Sequence, residues 1–165
     1  MKIGLFIPCY VDAVYPEVGV ATWKLLKHLG LDVTYPEKQT CCGQPMANAG
    51  FEKQAIPLAA KFEEKFQGFD YVVSPSVSCT AFIRLNYPRL LQHECETAKR
   101  CMDVVEFLHD VVKVDRRLGT FPTRCRCTTP VTVSANWDSR RPPNSTWRSS
   151  TKSRTCLRWS MASML

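Results

Sequence analysis

Apolar and polar positions follow two rhythms over residues 1–120 of this chain, and neither rhythm survives beyond them. Residues 2–8 form a short apolar run of the length of one buried strand, with Cys9 at its carboxyl end. Over 17–29, Val18, Leu25, Leu26 and Leu29 make a helical stripe, and Gly30 stands where a C-terminal cap belongs. Residues 31–35 alternate and predict a second strand, after which a polar loop carries Cys41-Cys42-Gly43. Over 55–66, Leu58, Ala59, Phe62 and Phe66 share a face and predict a second helix, with Pro57 marking its start or a kink and Gly68 its end. Residues 71–73 predict a third strand and 74–78 a loop, and Cys79-Thr80 opens a third helix. A fourth helix is predicted over 103–114, with Val104, Phe107, Leu108 and Val111 inward.

Strands alternating with helices predict an α/β fold, a Rossmann-like parallel sheet half-domain over residues 1–120. Ligands of such sheets gather at the carboxyl ends of the strands. Cys9 and Cys79 fall there, and the Cys41-Cys42 loop follows the second strand.

From Phe121 the pattern fails. Residues 121–165 hold eight Ser, seven Thr, four Pro and seven Arg, with no Glu and no Ile, and carry Trp137, Trp147 and Trp159. Charge divides at the same place. The net +7 suggests nucleic acid or a membrane surface, yet residues 1–120 have 14 basic and 14 acidic side chains, while 121–165 have 8 basic and only Asp138 acidic. The segment is expected to be a disordered or non-native basic tail. A nucleic-acid-binding protein that uses this tail is the alternative of another class, though the tail shows no patterned basic face.

Nine cysteines remain to be explained. Residues 1–10 are too short an apolar run for a signal peptide, and no run approaches a membrane span, so the expected compartment is the cytosol. Thiols stay reduced there, and clustered cysteines are more often metal ligands than disulfides. Between Cys9 and Cys41 lie 31 residues, and between Cys42 and Cys79 lie 36. A cysteine at a strand end, a Cys-Cys-Gly loop and a cysteine opening a helix can converge above one sheet. Adjacent cysteines suit neighbouring irons of one cluster, Gly43 admits an inorganic core without a Cβ clash, and a helix N-terminus favours the Cys79 thiolate. Zinc, or four buried structural thiols, are the other readings of the same set. Cys95 and Cys101 lie outside the pattern as ordinary thiols, and Cys125-x-Cys127 is weighed as an accident of the tail. His28, His93 and His109 read as solvated or structural, Gln44 and Pro45 as shaping the loop, and Tyr10, Asp12 and Tyr15 as lining the site or capping the next helix.

Three stretches, LFIPCYVDAVYPEVG at 5–19, QTCCGQPMANAGF at 39–51 and DYVVSPSVSCTAFIR at 70–84, resemble in order and spacing the cysteine-rich CCG family. That family includes the iron–sulfur subunits of lactate-utilisation systems and glycolate oxidase and the cysteine-rich chain of heterodisulfide reductase, and the lactate-utilisation members look closest. The resemblance covers roughly residues 1–122. In the fullest family motif the last element is Cys-x-x-Cys, whose first position here is Ser76. The resemblance therefore implies Cys9, Cys41, Cys42 and Cys79 as ligands of a [4Fe–4S] cluster. It implies electron transfer in a cytosolic L-lactate-oxidising complex with other iron–sulfur lactate-utilisation subunits. A glycolate oxidase or a heterodisulfide-reductase-type complex is the alternative, and no catalytic acid–base pair is evident.

The resemblance also implies a second motif copy beginning with a text like H-x-S-C-H-x-x-R-x-L-G just after Pro122. The tail lacks it. Read one base out of frame, permitted codons for TRCRCTTPVTVSANWD yield KVSVHNSCHGQRELG, and Asn136-Trp137-Asp138 forces Leu-Gly. A one-base slip near Pro122 would explain the charge, the missing Glu and the lost period together. The chain is then expected to be the N-terminal half alone, inactive by itself, with an apolar face left bare and marginal stability.

Overall fold

The computed structural model describes residues 1–114. The expected break near residue 121, the Cys125-x-Cys127 pair, the shifted-frame text and the basic tail lie outside the described residues.

The elements run β1 (Lys2–Leu5), α1 (Cys9–Val14), α2 (Pro16–His28), β2 (Asp32–Thr34), α3 (Gln44–Asn48), α4 (Glu52–Phe66), β3 (Tyr71–Ser74), α5 (Val77–Leu91), α6 (Glu96–Lys99), β4 (Cys101–Asp103) and α7 (Val104–Glu106). A π turn, Phe107–Val111, ends the described chain's regular structure. The four strands form one parallel sheet in the order β2-β1-β3-β4. The α/β parallel sheet expected from the alternating pattern is thus present. None of the helices among the described residues is long and apolar enough to cross a membrane.

Strand order fixes where a site belongs. The chain leaves β1 for β2 on one side and returns to β3 on the other. The gap outside the carboxyl ends of β1 and β3 is therefore the topological switch point of the sheet, where open α/β sheets bind ligands.

Beneath that point sits an aromatic core. Phe6, just beyond β1, meets Phe62 edge-on at 5.0 Å and Phe66 at 5.9 Å, and Phe62 meets Tyr87 at 5.4 Å. Phe62 and Phe66 are one helical turn apart on α4, and Tyr87 comes from α5, so these two helices cover one face of the sheet. Gly4 makes this closeness possible: a Cβ there would meet the Phe66 ring at 2.8 Å. Ile3 and Leu5, its strand neighbours, are fully buried on the opposite face.

Several elements differ from expectation. A short helix, α1, begins at Cys9, in a stretch to which the sequence pattern assigned no element. α4 starts at Glu52 and runs through Pro57, which forfeits one backbone bond but leaves the helix continuous. The helix expected over 103–114 is divided. Residues Cys101–Asp103 pair with β3, and Asp103 then accepts bonds from the amides of Val105 and Glu106 at 2.9 and 3.0 Å, capping α7. Of the four residues predicted inward there, Phe107 and Leu108 are buried, while Val104 and Val111 are half-buried.

Candidate metal centre

Three loops carry the candidate residues. Cys9 opens α1 directly after β1. Cys41, Cys42 and Gly43 precede α3. Cys79 lies in the first turn of α5, just after β3. All three loops lie at the carboxyl side of the sheet, and those of Cys9 and Cys79 flank the switch point.

Local bonds hold each loop in place. The Gln39 side chain acts as a strand-like neighbour to the end of β1. Its amide nitrogen donates to the Leu5 carbonyl at 2.7 Å, and its oxygen accepts from the Ile7 amide at 2.9 Å. This fixes the cysteine loop two residues before Cys41 beside the segment that leads to Cys9. Gly43 turns the chain at φ +85°, the left-handed region that glycine enters freely, and a Cβ there would lie 3.1 Å from the Ala55 Cβ. The turn lets the Gly43 amide donate back to the Cys41 sulfur at 3.4 Å. Ser76 caps α5 by accepting from the Cys79 amide at 3.4 Å, and Tyr10 donates its phenol to Ser76 at 3.2 Å, tying α1 to the α5 loop.

The four sulfurs meet as two pairs. The Cys9 thiol donates to the Cys41 sulfur at 3.4 Å on the exposed side. Cys42 and Cys79 are buried and face each other. Each pair also feels the other electrostatically, Cys9 through Cys79 and Cys42 through Cys41. Cys79 is held down to about 7 because Cys42 hydrogen-bonds to its thiolate, with help from Ser76 and Ser78 against the cost of burial. Cys42 is pushed up by that same bond, and then by burial. Burial and the Cys41 contact push Cys9 up to about 11. Within the buried pair, the thiolate is thus favoured on Cys79, near the helix N-terminus, over Cys42.

Among the described residues, no three His, Cys, Asp or Glu side chains are gathered around the position of a single metal ion. The donor set consists of four thiols around a glycine turn. Thiols of this kind are the donors that iron–sulfur clusters take, and zinc takes them as well.

The remaining candidates fall elsewhere. Cys95 and Cys101 are fully buried in the core against α4 and α5. His28 is exposed, His93 pairs with Glu63, and His109 with Asp110. Gln44 and Pro45 open α3, Tyr15 is the residue before α2, and Asp12 lies close enough to Tyr35 to help raise its phenol. Gln39, Tyr87 and the capping role of Ser76 were not anticipated from sequence. Their one advance signal is that Gln39 and Ser76 lie inside the cysteine-bearing stretches.

Residues 3–84 match the cysteine-rich domain family CCG. Among curated proteins, lactate utilization protein A of Geobacillus kaustophilus is 38% identical over 141 residues, and that of Bacillus licheniformis 39% over 141. Both alignments cover 78% of this chain and 59% of the relative. The Bacillus subtilis protein of the same name is 37% identical over 150 residues, covering 87% of this chain and 63% of the relative. The chain thus spans about three-fifths of the length of the curated relatives it matches. No solved structure matches it. With these matches and two thiol pairs at the carboxyl side of a parallel sheet, the chain carries a cysteine-rich CCG domain over residues 3–84 and is a homologue of the lactate utilization A proteins.

Proposed function

We propose that this chain is an iron–sulfur electron carrier of an L-lactate-oxidising system, with Cys9, Cys41, Cys42 and Cys79 as the ligands of a [4Fe–4S] cluster. The observation that supports the reading is that two thiol pairs, Cys9 with Cys41 and Cys42 with Cys79, lie on three separate loops at the carboxyl side of the sheet. The names of its homologues supply the substrate class.

Each residue has a part in this reading. The Cys79 thiolate is already favoured before any metal arrives, so it is the natural first ligand. Cys42 holds its proton through its hydrogen bond to Cys79 and then through burial, and a bound metal would offset both. Gly43 keeps a side chain out of the cradle, and Gln39 and Tyr10 hold the loops in register. Once bound, the cluster supplies one-electron transfer, and its potential is set by burial and by hydrogen bonds to its sulfurs. Electrons would pass to or from other iron–sulfur subunits of the same cytosolic system.

Anaerobic reconstitution with iron and sulfide tests this. The expected result is about four irons per chain with the broad visible absorbance and EPR signal of a [4Fe–4S] centre. Cys42→Ser should abolish or sharply reduce uptake. A reduced chain that takes up no iron, or a Cys42→Ser variant equal to the parent, overturns the reading.

A further inference from the structure

The four thiols are not equally reachable. Cys42 and Cys79 are 3% and 5% exposed and sit in the core cluster with Phe6 and Phe62. Cys9 is exposed and Cys41 half-buried, and their sulfurs are 3.4 Å apart. A disulfide bond is about 2.05 Å long, so closing this pair needs the sulfurs to approach by about 1.4 Å. Cys41 lies in a loop outside any helix or strand, and Cys9 opens a helix of six residues, so neither is held by a long rigid element.

We propose that Cys9 and Cys41 are an oxidative modification site: in the cluster-free chain hydrogen peroxide joins them in a disulfide, which withdraws two ligands and blocks cluster assembly. The proposal rests on the ligand set given above. One sulfur of this accessible pair attacks a peroxide oxygen, the O–O bond breaks, and a sulfenic acid and one water form. The other sulfur of the pair then attacks that sulfur, forming the S–S bond and breaking the S–O bond, and a second water leaves with the remaining thiol proton. Two sulfurs lose two electrons in all, and the two peroxide oxygens gain them. A thiol reductant reverses the step by exchange, since the bond formed is solvent-accessible.

The test uses the full chain, reduced and metal-free under anaerobic conditions, then treated with stoichiometric peroxide. Trypsin separates residues 3–24, which hold Cys9, from 39–53, which hold Cys41 and Cys42. The expected product is these two peptides joined through Cys9 and Cys41, assigned by fragmentation, with Cys42 and Cys79 still open to alkylation after unfolding. The oxidised chain should take up no iron, and dithiothreitol should restore uptake. Cys9→Ser should show no cross-link. Sulfenic or sulfinic acid at Cys9 without a link, a link through Cys42 or Cys79 instead, or full iron uptake by the linked chain overturns the proposal. Failure of the cluster reading looks different: the link forms and reverses, but the reduced chain never binds iron.

Discussion

The phenol of Tyr87 donates a 3.0 Å hydrogen bond to the backbone carbonyl of Cys42. Tyr87 lies eight residues beyond Cys79 on α5, a little over two turns. One helix therefore presents a cysteine from its first turn and, from its far half, grips the peptide of another. The ring is fully buried against Phe62 and Phe82, so the hydroxyl has little freedom to leave this bond.

Tyr87→Phe keeps the ring and removes the hydroxyl. The Cys42 carbonyl loses this buried partner, at a cost of about 1–3 kcal/mol. Urea unfolding of the metal-free chain should show a lower midpoint with an unchanged slope. The phenol is itself pushed far up by burial, so this loss should not vary between pH 6 and 9. An unchanged midpoint would show that the bond contributes nothing net.

Gln39 provides a separate check on the cysteine loop. Its side-chain amide both donates to Leu5 and accepts from Ile7. Gln39→Ala should free the loop, costing about 1–2 kcal/mol for two part-buried bonds. Gln39→Glu can still accept from the Ile7 amide but sets a carboxylate against the Leu5 carbonyl, so it should recover little. The measurement is the rate of tryptic cleavage after Lys38 in the native chain. It should rise in both variants while far-UV circular dichroism stays the same.

The sheet and its main helices could be read from periodicity because their apolar stripes are long. Leu25 and Leu26, or Phe62 and Phe66, announce a face without help from the rest of the chain. β4 could not be read that way. Cys-Met-Asp has no alternation of its own and becomes a strand because Val72, Val73 and Ser74 pair with it. The site was half legible. Four cysteines marked the loops, and strand ends predicted the side of the sheet. That the sulfurs meet in two pairs depends on Gln39, Tyr10 and Tyr87, whose roles are tertiary and leave no periodic trace.

Gly43→Ala combines two costs that a second substitution separates. The positive φ costs an L-residue about 1–2 kcal/mol, and the new methyl would also press on Ala55 at 3.1 Å. Ala55→Gly removes the second contact and leaves the first. In a double-mutant cycle the two changes should be coupled, with Gly43→Ala less damaging in the Ala55→Gly background. Additive effects would assign the whole cost to backbone conformation. In either background, iron uptake on reconstitution should fall as the turn before α3 is disturbed.

The His93–Glu63 pair gives the fold a pH dependence of known sign. His93 sits in the turn after α5, and its imidazole meets the Glu63 carboxylate on α4 at 2.9 Å. That hydrogen bond, with one to the Leu91 carbonyl, raises the His93 pKa above its ordinary 6.5. A raised folded-state value means that the folded chain holds the proton more tightly than the unfolded chain does. The contribution is full below about pH 6.5 and fades as pH rises through the higher folded value. Both groups are at the surface, so the effect is small and weakens in salt. Other groups add their own slopes, among them Asp103, whose carboxyl is raised by burial. The parent must therefore be compared with His93→Gln. The parent's advantage in urea midpoint should be largest at about pH 6, shrink by about pH 8, and be reduced by salt at the lower pH. An advantage that grows with pH would mean that His93 is neutral in the fold and that the pair does not form.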